Sequence, residues 1–89
     1  MKLVWKKLAI KDRDRIMDRT AKDNPQAALD QDERFEDKAE GLLEHPELYR
    51  EGRKRGTREM TVEPYIVIYR VKSKEIEILR VKHEARQWP

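Results

Sequence analysis

Residues 57–83 read TREMTVEPYIVIYRVKSKEIEILRVKH, and this stretch decides the fold. The rest of the chain is dense in charge. Here β-branched and aromatic residues are closely spaced instead. Val62, Tyr65, Ile66, Val67, Ile68, Tyr69, Val71, Ile76, Ile78, Leu79 and Val81 suit the pleated, half-buried surface of a sheet. Two turn signals divide the stretch. Glu63-Pro64 separates residues 58–62 from 65–72, and Ser73-Lys74 separates those from 75–82. The pattern predicts a three-stranded antiparallel meander.

A two-residue loop at Ser73-Lys74 sets the register of the second hairpin, with Lys72 opposite Glu75. Arg70 then faces Glu77, Ile68 faces Leu79, and Ile66 faces Val81. One assumption yields two opposite-charge pairs and two apolar pairs, each worth about 0.2–1 kcal/mol. A one-residue slip would set Glu77 against an apolar partner and reverse its face. In this register Ile66, Ile68, Leu79 and Val81 share one face, with Arg70 and Glu77 at its end. Tyr65, Val67, Tyr69, Val71, Ile76 and Ile78 share the other with Arg80 and Lys82. Both faces are apolar enough to need cover. The expectation is helices of the same chain on one and a second partner on the other.

Eighty-nine residues make one domain, 1–89, with one modest core. The sequence has no cysteine, which excludes a disulfide framework and a thiolate metal site and fits a reducing cytoplasm. The first ten residues lack the continuous apolar run of a secretory signal. The longest apolar run, residues 65–69, falls far short of the ~20 residues that span a bilayer, so no membrane partner is expected. Charged residues are 44% of the chain, a composition that raises disorder as a possibility. The strand block and helical patterning upstream argue against it. A net charge of +3 is too mild to name nucleic acid as the partner by itself.

KLVW at 2–5 reads as a first strand added to the meander, with Trp5 in the core. In 8–24, Ala9, Ile16 and Thr20 fall on one stripe near the 3.6 period, with Met17 beside it. That is a helix with a narrow apolar face and solvated charge ladders worth a few tenths of a kcal/mol per pair. Asn24 suits an N-cap and Pro25 the first helical position. The following helix runs to about Leu43 on the stripe Ala28, Phe35, Ala39 and Leu42. Gly41 loosens its last turn, and His45-Pro46 ends it. ELYREGRKRG at 47–56 reads as a loop; Arg50, Arg53, Lys54 and Arg55, with Arg58 just beyond, are the strongest basic cluster in the chain. The predicted class is α+β: an N-terminal strand and a two-helix antiparallel hairpin packed on a three- to four-stranded antiparallel sheet.

The arginines of the basic loop can grip phosphates by planar, bidentate hydrogen bonds; the alternative is a loop charged for solubility. His83, after the last strand, can act as general acid or base, with Lys82 and Arg86 beside it to stabilise phosphate charge. Its alternative is a histidine that holds a strand end. Trp88 can be a lid, a stacking platform or a plug for the sheet edge. Two histidines without metal-ligand spacing give no zinc site, and no glycine-rich phosphate loop is present, so no cofactor is expected.

Asp23-Asn24-Pro25 with Ala27-Ala28, Gly56-Thr57-Arg58-Glu59, the strand 65–71, and the ending Arg80-Val81-Lys82-His83 with Ala85-Arg86-Gln87-Trp88-Pro89 occur in this order. Together they resemble the RelE/ParE superfamily of bacterial toxins, over nearly the whole chain and most strongly from Gly52 onward. The resemblance implies the toxin of a type II toxin–antitoxin module, neutralised by a cognate antitoxin and reaching operator DNA only through it. The family does two jobs. RelE-like members enter the ribosomal A site and cleave mRNA; ParE-like members inhibit DNA gyrase. Arg58 falls near a catalytic lysine position of RelE. Met60 and Ile66 stand where RelE carries basic residues. His83 lines up with the C-terminal histidine of YafQ-type and YoeB-type nucleases, although many ParE-like chains carry a histidine there too. The leading expectation is a metal-independent, ribosome-dependent endoribonuclease, with His83, Arg58 and Arg86 catalytic and Arg53, Lys54, Arg55, Lys82 and Trp88 on the RNA. The alternative is a gyrase inhibitor without nuclease activity; a third reading is a toxin fold that only binds antitoxin and operator.

Overall fold

In the computed structural model, which describes residues 1–85, two antiparallel helices lie on one face of a five-stranded sheet. The elements are β1 (Lys2–Trp5), α1 (Lys7–Asp23), α2 (Pro25–Gly41), β2 (Arg50–Glu51), β3 (Arg58–Val62), β4 (Tyr65–Val71) and β5 (Glu75–His83). The strand order is β1-β5-β4-β3-β2. The predicted meander, β3 to β5, forms the centre. Two features correct the expected all-antiparallel sheet of three to four strands. β1 joins β5 in parallel, with Leu3 opposite Ile76 and Trp5 opposite Ile78. Parallel pairing needs a long crossover, and the helices with the meander supply it. At the other edge, Arg50 and Glu51 of the presumed loop pair with Glu59 and Arg58.

Asn24 closes one helix and opens the next. Its N–H donates to the Thr20 carbonyl at 2.9 Å, and its Oδ1 accepts from the Ala27 N–H at 3.1 Å. The stripe read from α2 is buried as spaced: Ala28, Phe35, Ala39 and, just past the helix end, Leu42. α1 buries Ala9 and Ile16, and between them Asp12. The helix charges do more than ladder in solvent. Arg13 grips Asp32 with two hydrogen bonds of 2.8 and 2.7 Å and reaches Glu36 at 3.1 Å. The same guanidinium lies 4.4 Å from the centre of the Trp5 ring. One side chain thus joins β1, α1 and α2 by charge-assisted and cation–π contacts.

The Ser73-Lys74 loop has the predicted length: Lys72 N–H donates to the Glu75 carbonyl at 2.8 Å, and Arg70 stands opposite Glu77. Beyond Tyr69–Ile78 the predicted register fails. A bulge inserts Leu79, so Ile68 faces Arg80 rather than Leu79, and Ile66 faces Lys82 rather than Val81. The reason is the period of two. Without the extra residue, Arg80 would pair with Val67 on the helix-covered face and Val81 would turn outward. The bulge exchanges them. Val81 joins Val67 and Tyr65 in the core, 3% exposed. The second sheet face also differs from expectation. Ile66 and Ile68 are already buried there, while Leu79 stays half-exposed.

Candidate functional site

The basic stretch is a folded loop. Gly52 N–H donates to the Thr57 carbonyl at 2.7 Å, and Thr57 N–H to the Lys54 carbonyl at 3.1 Å. The Thr57 hydroxyl also donates to that carbonyl. A Cβ on Gly52 would collide with Thr57 Oγ1, and Gly56 has φ 83°, so both glycines are required by geometry. Glu59, 3% exposed, anchors the loop from β3. It accepts from Arg53 N–H at 2.8 Å and from Arg50 Nη2 at 3.1 Å. Arg58 Nη1 donates to the Tyr49 carbonyl at 2.8 Å. Arg50 and Arg58 are thus both engaged in contacts that hold the loop.

The loop's cations divide between two surfaces. Arg53 and Lys54 line a groove of about 420 Å³ with Ile68, Leu79, Arg80 and Lys82, an apolar floor with a basic rim. Arg55 and Arg58 line a separate hollow of about 400 Å³ with Glu47, Glu51 and Val71. His83 lies elsewhere. It pairs with Tyr65 across the sheet, and its ring meets the edge of Tyr65 at a centroid distance of 5.4 Å. Tyr65 in turn rests against Phe35 at 5.5 Å. His83 Nδ1 accepts from Ala85 N–H at 3.1 Å, which leaves Nε2–H as the donor of the neutral ring.

Arg58 is opposite Tyr69 while His83 is opposite Tyr65. They are about 13 Å apart along the strands and two strands, about 9–10 Å, across. An acid–base group and a charge-stabilising group acting at one phosphate must both come within about 3 Å of the reacting atoms. The structure does not bring these two together. It does bring Arg53, Lys54 and Lys82 together at the groove, and Lys82 and His83 together at a small pocket on the helix side. Arg86 and Trp88 lie outside the described residues.

The sequence reading missed the residues that complete that small pocket: Asp12, Arg15 and Arg19 of α1, and Arg80 at the bulge. The signal available was Asp12, set between Ala9 and Ile16 at helical spacing. A carboxylate on a buried stripe demands a cation or several donors, and Arg80 sits in the most apolar part of the chain. Among the described residues, no group of three or more histidines and carboxylates is placed to hold a metal ion. Nor is any helix there long and apolar enough to cross a membrane.

Residues 3–88 match the family described as the ParE toxin of type II toxin–antitoxin systems. Over 87 residues the chain is 38% identical to Y4kP of Sinorhizobium fredii (strain NBRC 101917 / NGR234), a protein named as a toxin, covering 96% of this chain and 90% of that one. A chain from the structure of the chromosomal ParDE toxin–antitoxin system of P. aeruginosa superposes with a TM-score of 0.84 at 30% identity. That match covers 93% of this chain and 95% of that one.

Proposed function

The chain belongs to the ParE toxin family of type II toxin–antitoxin systems, and from that membership we propose that it arrests growth by binding DNA gyrase rather than by cutting mRNA. The observation that supports this reading is the separation of His83 from Arg58, about 13 Å along the sheet and two strands across. Two of the residues expected to cut RNA, His83 and Arg58, lie too far apart along the sheet to meet at one phosphate. Arg58 is instead held by the Tyr49 carbonyl, and His83 by Tyr65 and the Ala85 N–H.

The surface suits protein docking better than RNA chemistry. Ile68 and Leu79 floor a groove rimmed by Arg53, Lys54 and Lys82, an arrangement of apolar centre and charged rim typical of protein interfaces. In this reading the cations expected on mRNA meet acidic groups of the target protein. The second partner is a cognate antitoxin, which neutralises the toxin and carries it to operator DNA.

The test is a supercoiling assay with purified gyrase and the purified chain, run beside primer extension on mRNA from induced cells. The expected result is loss of supercoiling or accumulation of cleaved DNA, with mRNA intact. Unchanged supercoiling at excess toxin, with cuts in translated mRNA, would return the function to the nuclease reading.

A further inference from the structure

We propose that the small pocket between α1 and the end of β5 is a binding site for a single phosphate group. Arg15 and Arg19 come from α1, Lys82 and His83 from β5, over a floor of Ile16 and Tyr65. Its volume is about 70 Å³, room for a few waters or one tetrahedral oxyanion. Ile16 is 6% and Tyr65 8% exposed, so the floor is packed and fixed.

The charge of the pocket is unbalanced by construction. Asp12 is the one carboxylate that lines it among the described residues, and it is already engaged by three donors. It accepts from Arg80 Nε and Nη2 at 2.8 and 3.0 Å and from Val81 N–H at 2.9 Å. Arg15, Arg19 and Lys82 make no ion pair or hydrogen bond among the described residues. Arg15 and Arg19 stand four apart on one helix face, a like-charge spacing that costs helix stability. His83 adds a donor at Nε2, because Nδ1 accepts from Ala85 N–H. Two guanidinium forks and one imidazole N–H around a cavity of this size match the acceptor oxygens of a phosphate, and Lys82, which borders both this pocket and the groove, adds positive charge beside it.

The site stands on its own geometry and does not depend on gyrase being the target. The phosphate can come from a nucleic-acid backbone or from a free phosphate or nucleotide, and binding distinguishes the two. The full-length chain, labelled with 15N, is titrated with inorganic phosphate and separately with a short DNA duplex. Both titrations follow the Val81 and Ala85 amides and the His83 ring by NMR. The expected result is saturable shifts confined to these groups. Arg19→Ala and Lys82→Ala should each weaken binding at least about tenfold, while Lys38→Ala on α2 leaves it unchanged. Far-UV circular dichroism checks that each variant is folded. Saturation by duplex below the phosphate concentration needed identifies a backbone phosphate as the ligand. Saturation by phosphate alone identifies a free one. No shift with either, or shifts that survive both pocket substitutions in folded protein, would overturn the proposal.

Discussion

Asp12 and Arg80 are 68 residues apart in the chain and meet in a bidentate pair, with Nε and Nη2 of Arg80 at 2.8 and 3.0 Å from the two carboxylate oxygens. The contact locks α1 to β5 just where β1 stops pairing. β1 ends opposite Ile78, and beyond it the strand edge would present unpaired backbone donors. Asp12 takes one of them, Val81 N–H, at 2.9 Å. The side chain of a helix thus replaces a missing strand.

Replacing Asp12 with Asn should therefore be costly. The Asp12 side chain is 8% and that of Arg80 31% exposed, so the arginine would keep some access to water. The expected loss is about 2–4 kcal/mol, near the lower part of the range for breaking a buried pair. Urea unfolding followed by circular dichroism measures it. A loss under about 0.5 kcal/mol would mean that the pair is a surface contact without structural weight.

Glu77 makes the fold sensitive to acid. Arg70 donates to its carboxylate at 2.8 Å, with Lys72 and Lys6 at 3.5 and 3.7 Å. The Arg70 hydrogen bond, ahead of the two lysines, holds its pKa down from the ordinary 4.5 to about 2. A carboxylate depressed in the folded state contributes stability that is complete above the unfolded pKa and is lost as pH falls through the folded one. The melting temperature should therefore drop between pH 4.5 and about 2. In Glu77→Gln the drop over this window should be shallower. Parallel acid limbs in the two proteins would assign the acid sensitivity to other carboxylates.

Gly52→Ala tests the basic loop. The added Cβ would meet Thr57 Oγ1 and crowd the Thr57 backbone at 3.2 Å. The neighbour cannot yield without breaking the Gly52–Thr57 hydrogen bond. The expected destabilisation is about 1–3 kcal/mol, with faster hydrogen exchange at Arg53 and Thr57 amides. Unchanged exchange would show that the loop has slack.

Arg58→Ala separates a structural from a catalytic arginine. Its guanidinium satisfies the Tyr49 carbonyl, so its loss should cost about 1–3 kcal/mol through a charged hydrogen bond. Thermal melting of the purified variant reads this directly. A melting temperature equal to that of the parent would free Arg58 for a role in the toxin's target contacts.

Several elements were legible because their causes are local. Asn24-Pro25 specifies a helix start by cap chemistry alone, and the stripe Ala28, Phe35, Ala39 and Leu42 specifies the buried face by period alone. Arg70 opposite Glu77 followed from a two-residue turn. The motif order pointed to the toxin superfamily, and the family match bears that out. The preference for mRNA cleavage rested on residue types whose positions in space the sequence did not contain. His83 and Arg58 look close in a list of candidate site residues, yet they occupy different ends of the sheet.

What the sequence determined by itself was the helix hairpin, the central meander and its toxin kinship, since each rests on neighbours within a few residues or on motif order. What only the tertiary structure decided was the parallel edge strand, the bulge at Leu79 and the use of each cation. A bulge forms when two faces cannot both be satisfied at a period of two, and that conflict appears only once helices cover one face. The fate of a charge depends likewise on the carboxylate it meets across space. Arg80 was taken by Asp12, while Arg15, Arg19 and Lys82 were gathered around a pocket.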